Sequence, residues 1–361
     1  MEQILVHYDV NQIQERLWYI LDQMEIGREL HPSTKVGIKP NLVVAKPADS
    51  GATTDPRLVA SLIEYLQDHG VKDISIMEGS WVGDSTKRAF EVCGYNELSQ
   101  HYQVPLVDLK KDTTRKLMDG DTWIEVCTSP LEVDFLINMP VLKAHCQTKI
   151  TCALKNLKGC IPDREKRRFH TLGLHQPIAL LNKLLPQHLI VVDALAGDLT
   201  FEEGGNPVAM DRIICGTDPV AIDAYAARLL GYEPPEIEYI LLAEKLQVGT
   251  RDYTIQEFGT PGQINNTQST RIHQRLGKYV DAKDACSACY GSLLHALHRY
   301  EKRHGPWPQN QRIVIGQGYK KQKGTQIGIG SCTRSFPKHL PGCPPQALDI
   351  LRFLEETTGS N

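Results

Sequence analysis

Through the first two thirds of the chain, short β-branched runs alternate with longer stretches of helical spacing. This alternation is the signature of a mainly parallel α/β sheet with flanking helices. Val36-Gly37-Ile38 predicts a strand. Asp55-Pro56 then opens a helix, with Asp as its cap and Pro at its first position. Its apolar residues Leu58, Val59, Leu62, Ile63 and Leu66 keep helical spacing as far as Gly70. Further strands are predicted at residues 74–77, 106–108, 135–138 and 189–192. Residues 116–126, centred on Asp119-Gly120, predict a hairpin, because Asp-Gly suits a tight primed turn. Thr217-Asp218-Pro219 opens another helix through Ala226, Leu229 and Leu230, closed by Gly231, and Asp218 reads as its cap rather than as a catalytic acid.

From Gly249 to Thr270 the pattern breaks into Gly, Thr, Asn and Gln with Pro261 among them, which predicts a linker. A boundary near residue 265 follows, with an α/β domain over 1–260 and a small cysteine-bearing module over 266–361. The length of 361 residues fits two domains. With 41% apolar and 23% charged residues the chain has ordinary globular composition. No apolar run approaches the roughly 20 residues of a membrane span. Met1-Glu2-Gln3-Ile4 leads into no basic and then apolar segment. The expectation is a soluble cytoplasmic protein without a membrane partner. A net charge of −3, from 40 basic and 43 acidic side chains, argues against a nucleic-acid coat protein.

Ten cysteines are too few for a disulfide scaffold, so their placement decides what they do. Cys93, Cys127, Cys146, Cys152, Cys160 and Cys215 are scattered. Cys286-Ser-Ala-Cys289 is a C-x2-C pair, followed after 42 residues by Cys332 and after ten more by Cys343. Cys343 sits in Gly342-Cys343-Pro344-Pro345, and Pro after a ligand cysteine is a recurring companion of iron–sulfur clusters. Gly328 and Gly330 before Cys332 suit a backbone that aims N–H groups at sulfur. Four thiolates point to one [4Fe-4S] cluster. Zinc is the rival, although its two knuckles usually lie about 15–20 residues apart and C-x10-C fits them poorly. Free or buried thiols are the third reading. Neither C-x3-C-x2-C nor a repeated ferredoxin run occurs.

Open parallel sheets bind ligands beyond the carboxyl ends of their strands. Lys39-Pro40-Asn41, Glu78-Gly79-Ser80, Lys143 with His145, and Asp193 follow the predicted strands there. Residues 143–170 carry eight basic side chains against Asp163 and Glu165. Lys155-Asn156-Leu157-Lys158-Gly159 within them suits an anion. Arg164–Arg168 read equally as a solvated basic face. His145 and His170 are candidates to move protons near neutral pH. No P-loop, dinucleotide fingerprint or H-E-x-x-H is present, and the basic segment lacks the interleaved aromatics of nucleic-acid binders.

Lys39-Pro40-Asn41-Leu42, Asn138-Met139-Pro140-Val141-Leu142-Lys143-Ala144-His145, Leu154-Lys155-Asn156-Leu157-Lys158-Gly159 and Gly216-Thr217-Asp218-Pro219-Val220-Ala221-Ile222-Asp223-Ala224 resemble the domain-of-unknown-function 362 family over residues 35–232. That resemblance implies a ferredoxin-type iron–sulfur segment, from whose usual run this chain departs. Gly-Cys-Pro-Pro is similar to a tetrapeptide in cluster-carrying small subunits of hydrogenases and respiratory complex I. The expected function is a cytoplasmic electron-transfer protein or oxidoreductase with one [4Fe-4S] cluster on Cys286, Cys289, Cys332 and Cys343. It would act on a small anionic substrate or a redox partner protein, and a homodimer is compatible with this. Lys143 and His145 are the expected catalytic pair, with Lys39, Asn41, Lys155, Asn156 and Lys158 binding the anion. A non-redox lyase or isomerase, and a zinc-stabilised binding protein, are the alternatives.

Overall fold

The computed structural model describes residues 1–8, 10–261 and 272–359. It divides into two compact units, Met1–Lys166 with His175–Asn266, and Arg167–Leu174 with Thr267–Asn361. The expected boundary near residue 265 lies outside the described residues.

The first unit is built on β1 (Glu2–Tyr8), β2 (Lys35–Pro40), β3 (Asp73–Glu78), β4 (Leu106–Asp108), the hairpin β5 (Thr114–Asp119) and β6 (Thr122–Cys127), β7 (Phe135–Met139), the small hairpin β8 (Lys143–His145) and β9 (Lys149–Thr151), β10 (Leu189–Asp198), β11 (Pro207–Gly216) and β12 (Tyr253–Phe258). Eight of these form one sheet in the order β12-β1-β11-β10-β7-β2-β3-β4. Its β10-β7-β2-β3-β4 portion is parallel throughout. Only β11 runs antiparallel to its neighbours β1 and β10. Val36 and Ile38 of β2 and Phe135 and Ile137 of β7 are buried with Leu58, Leu62 and Leu66 of the covering helix Pro56–Asp68. A strand covered on both faces reads as a continuous apolar run, which is why these strands were legible.

The helix expected after Thr217 spans Pro219–Leu229, and Asp218 caps it: Oδ1 accepts from Val220 N and Ala221 N, while Oδ2 accepts from Thr250 N. The linker reading of 249–270 is corrected over part of its length. Tyr253–Phe258 is an edge strand paired in parallel with β1. Its Thr254 and Ile255 are exposed and its glutamine and glutamate half-buried or exposed, so it lacks the apolar run of a covered strand. The rest of that segment beyond residue 261 lies outside the described residues.

The second unit carries a parallel sheet of three-residue strands, β13 (Val280–Ala282), β14 (Ile313–Ile315), β15 (Ile327–Ile329) and β16 (Lys338–Leu340), in that order. Helices Ser287–His304 and Ala347–Thr358 accompany it. Among the described residues no helix is long and apolar enough to cross a membrane.

Because three backbone N–H groups converge on one carboxylate, Asp218→Ala should lower stability by about 1–2 kcal/mol in urea unfolding. An unchanged midpoint would mean the cap contributes nothing.

Candidate functional site

The strand order reverses at β2: the chain moves from β2 to β3 and β4 on one side, and β7 and β10 lie on the other. Such a switch point is where open sheets bind ligands. Here it is filled by polar side chains that are all buried. Lys39 sits opposite Asn138 in register. Its Nζ lies 2.9 Å from Glu78 Oε2 at the end of β3 and donates to Pro40 O at 2.6 Å. Glu78 also accepts from Leu42 N and Gly79 N, both at 2.7 Å. Both oxygens of this desolvated carboxylate thereby accept hydrogen bonds. Gly159 lies against this pair: a Cβ there would stand 2.1 Å from Glu78 Oε1 and 2.6 Å from Lys39 Nζ.

Three asparagines join the strand ends. Asn41 Nδ2 donates to Asn156 Oδ1 at 2.9 Å, and Asn156 Nδ2 donates to Asn138 Oδ1 at 2.7 Å and to Lys39 O at 3.3 Å. Asn156 and Lys155 come from the short helix Ala153–Asn156. That helix is held from outside itself, with Leu154 N donating to Asp223 Oδ1 and Asn182 Nδ2 to Leu154 O. Asp223 belongs to the Asp218-capped helix, so the Gly-Thr-Asp-Pro motif positions the Lys-Asn motif.

Beside the asparagines lies a charged group. Lys143 is fully buried and donates to Ala52 O at 2.5 Å and Asn41 Oδ1 at 3.3 Å. Burial, reinforced by the Lys155 charge, pulls it down to about 8. Lys155 Nζ lies 2.5 Å from Glu202 Oε1 and donates to Thr151 Oγ1 at 3.2 Å. His145 Nδ1 accepts from Thr148 N at 3.0 Å and Gln147 N at 3.1 Å, which leaves its proton on Nε2. That Nε2 lies 2.9 Å from Glu202 Oε2. Burial, with Lys155 and Lys158 adding to it, pulls the ring down to about 3. The neutral imidazole therefore does not titrate near neutrality, which corrects the expectation drawn from its ordinary value. Burial opposes the Glu202 charge, but His145, Lys155 and Lys143 hold it well below the usual carboxylate range.

Neighbouring Glu203 is also buried, and neither of its carboxylate oxygens has a hydrogen-bonded side-chain partner among the described residues. Burial and the Glu202 charge push it up to about 7, against Lys46 and Lys143. The loop bearing both glutamates is fixed by Asp198, which accepts from Thr200 N, Phe201 N and Asn206 N at 2.7–2.8 Å.

Lys39, Asn41, Lys143, His145, Lys155 and Asn156 are thus brought together, though buried rather than lining an open crevice. Lys158 is half-buried and its charge bears on His145. His170 falls in the other unit. The solvated reading of Arg164–Arg168 is corrected: Glu165 and Lys166 are buried, and Lys166 Nζ donates to Gly79 O and Ser80 O. Glu202 and Glu203 were missed; an acidic pair before Gly204-Gly205 was the available signal.

In the second unit Cys286 precedes the helix Ser287–His304 and Cys289 lies in its first turn. Cys332 follows β15 and Cys343 follows β16. Gly330 N donates to Leu340 O and Ser331 N to Gly342 O, both at 2.8 Å, so these N–H groups join the two loops rather than point at sulfur. Burial, then the charges of Cys286, Cys343 and Cys332, push Cys289 up. Among the described residues no three His, Cys, Asp or Glu side chains are gathered closely enough to hold a metal ion.

Removing one partner of a buried ion pair strands the other. Lys39→Met should cost about 3–5 kcal/mol in chemical unfolding, and the double change Lys39→Met with Glu78→Leu should recover part of it. Equal losses in the single and double variants would show that the pair is not coupled.

Residues 36–228, just over half of the chain, match the family described as Domain of unknown function (DUF362). A thylakoid-associated protein of Synechocystis sp. is 25% identical over 232 residues, 61% of this chain and 70% of that protein. Among solved structures, the lactate racemase apoprotein of Thermoanaerobacterium thermosaccharolyticum overlays with a TM-score of 0.37 at 12% identity, covering 52% of this chain and 50% of its own. A Thermotoga maritima protein overlays with a TM-score of 0.39 at 14% identity, covering 64% and 59%. The chain spans less than two thirds of either structure, and overlaps of that size carry no argument about reaction. The family match covers the motifs that build the buried network, and the chain belongs to the DUF362 family.

Proposed function

We propose that the chain is an iron–sulfur protein holding one [4Fe-4S] cluster on Cys286, Cys289, Cys332 and Cys343. It would serve as an electron-transfer protein or oxidoreductase toward a small anionic substrate or a redox partner protein. One observation supports this reading: Cys286 and Cys289, at the start of the helix after β13, Cys332 after β15 and Cys343 after β16 all follow the carboxyl ends of strands of one parallel sheet. The turn after β14 adds Gln317, whose Nε2 lies 3.9 Å from Cys286 Sγ.

The donor set favours a cluster over zinc. A zinc ion holds each sulfur at about 2.3 Å, which forces four thiolates close together. Cys286, Cys343 and Cys332 all bear on Cys289, and a C-x2-C pair followed by C-x10-C fits the paired knuckles of a zinc ribbon poorly. A four-iron cube gives each thiolate its own iron and so accepts a wider set. Lys320 and Arg167 face Cys332 and oppose the rise that burial imposes on its thiol. Cations beside thiolates suit a group of net negative charge. Bound there, the cluster would exchange single electrons. Four protein thiolates leave no iron open, which favours electron transfer over Lewis-acid chemistry. In the α/β unit we assign the anion to Lys143 and Lys155, with Lys39, Asn41, Asn156 and Lys158 around them and the His145 N–H as a donor.

Anaerobically purified protein should contain iron and sulfide near four each per chain, with a brown visible spectrum and an EPR signal on reduction. Single changes of Cys286, Cys289, Cys332 or Cys343 to Ala should lose or degrade the cluster, while Cys93→Ala and Cys215→Ala keep it. Stoichiometric zinc without iron would overturn the reading, and full iron content in Cys343→Ala would remove that residue from the set.

A further inference from the structure

The two units carry opposite charge. The first has 24 basic against 37 acidic side chains and the second 16 basic against 6 acidic, in a chain whose net charge is −3. A small unit with so large a positive surplus repels itself, so the surplus does nothing for folding. It marks an anionic partner.

Where the cations lie narrows the choice. The turns after β13, β14 and β15 are joined to one another. Gly318 N after β14 donates to Lys283 O after β13 at 3.0 Å, and Lys283 Nζ stands 4.7 Å from the centre of the Tyr319 ring. Tyr319 in turn packs edge-on against Phe336, which follows Cys332, with ring centres 5.8 Å apart. Lys283, Lys320, Lys321, Lys323 and Arg334 on these connections are exposed, and among the described residues none of them forms an ion pair. Lys320 and Arg167 face Cys332, which leaves Lys321, Lys323 and Arg334 in excess. The acidic side chains in or beside these turns are Asp281, Asp284 and Asp349, three against six. Of the four cysteines, Cys343 is exposed, and Leu348, 44% exposed, follows it in the helix Ala347–Thr358. An apolar side chain beside a charged rim is the make-up of a protein interface. Tyr319 and Phe336 are buried, so these turns offer no platform on which bases stack.

We infer that the carboxyl end of this sheet, with Lys321, Lys323, Arg334 and Cys343, is the docking face for an acidic protein electron carrier. This rests on the assignment of a [4Fe-4S] cluster to the four cysteines. One electron passes between carrier and cluster, one oxidised as the other is reduced; no bond forms or breaks and no proton moves. The exposed cations steer the carrier to this face, and the acidic first unit repels it, so the encounter is directed. Encounters of this kind are small and weak, which suits a partner that must leave after each electron.

The experiment is anaerobic calorimetric titration of the full-length holoprotein with an acidic bacterial ferredoxin at about 20, 100 and 300 mM salt, a range that spans strong and weak screening. The ferredoxin should bind, with affinity falling about tenfold or more across the series. Mixing one reduced and one oxidised partner should bleach the visible absorption of the recipient. Reversing three charges together, Lys321→Glu, Lys323→Glu and Arg334→Glu, should weaken binding at low salt about tenfold and leave iron content and the EPR signal unchanged. The same reversal at the amino end of the sheet, Lys278→Glu, Lys302→Glu and Lys338→Glu, should change affinity by less than about twofold. Where a triple variant fails to fold, Lys321→Glu and Lys278→Glu alone make the comparison. Equal losses at the two ends, binding indifferent to salt, or binding without bleaching would overturn the docking face. So would a wild type that ignores the ferredoxin and binds single-stranded DNA or phosphatidylserine vesicles instead. Iron and the EPR signal persist in all of those outcomes, so the cluster assignment survives them; a wild type without iron would remove both.

Discussion

An ammonium or carboxylate taken out of water costs several kcal/mol unless its hydrogen-bonding groups are met. The α/β unit buries Lys39, Lys143, Lys155 and Lys166 together with Glu78, Glu202 and Glu203. That requirement fixes the geometry where the sheet order reverses. Lys39 at the end of β2 reaches Glu78 at the end of β3, so two adjacent parallel strands are pinned at matched heights. The Asn41–Asn156–Asn138 chain then ties β7 and the helix Ala153–Asn156 to the same point. Each amide donates to one neighbour and accepts from another, so displacing one leaves its neighbours unsatisfied.

The surrounding elements follow from that constraint. Gly159 has no room for a side chain because its backbone presses on the Lys39–Glu78 pair. Asp223 reaches from one helix to hold the start of another. Asp198 gathers three backbone N–H groups and sets the loop that delivers the two glutamates. Carboxylates that accept only backbone N–H groups define chain direction more rigidly than packing does, because each bond is directional. A site whose charged groups are held this way needs little rearrangement when a ligand arrives, and that lowers the cost of binding.

The sequence disclosed what is periodic and what is punctuated. β2, β3, β7 and β10 carry apolar runs because both their faces are covered, and Asp55-Pro56 and Asp218-Pro219 announce their helices by residue type alone. β12 was read as linker because an edge strand leaves half its residues in water, and β13–β16 are three residues long, too short to show a period. The motif lysines were recognised as chemically loaded but placed in an open crevice. Composition counts a lysine as a solvated charge, and only tertiary partners make burial affordable: Glu78 and Glu202 for Lys39 and Lys155, and the carbonyls of Ala52, Gly79 and Ser80 for Lys143 and Lys166. Lys166 shows this most plainly. It lies in a run of basic residues that read as a surface, yet its neighbour Arg164 reaches out to Glu125 while it turns inward.

By residue type alone histidine is the candidate to move protons, because its ordinary value lies near neutral pH. Burial reverses that choice. It disfavours whichever form is charged, so it lowers a base and raises an acid. His145, beginning near 6.5, is driven out of the physiological range. Glu203, beginning near 4.5, is driven into it. Desolvation lowers the imidazole and, together with the Glu202 charge, raises the Glu203 carboxyl. Glu202 escapes because His145, Lys155 and Lys143 compensate it, whereas Glu203 has no hydrogen-bonded side-chain partner among the described residues. Two adjacent glutamates on one loop are thus shifted in opposite directions. The difference comes from which of them meets an ammonium group, and nothing in the local sequence distinguishes them.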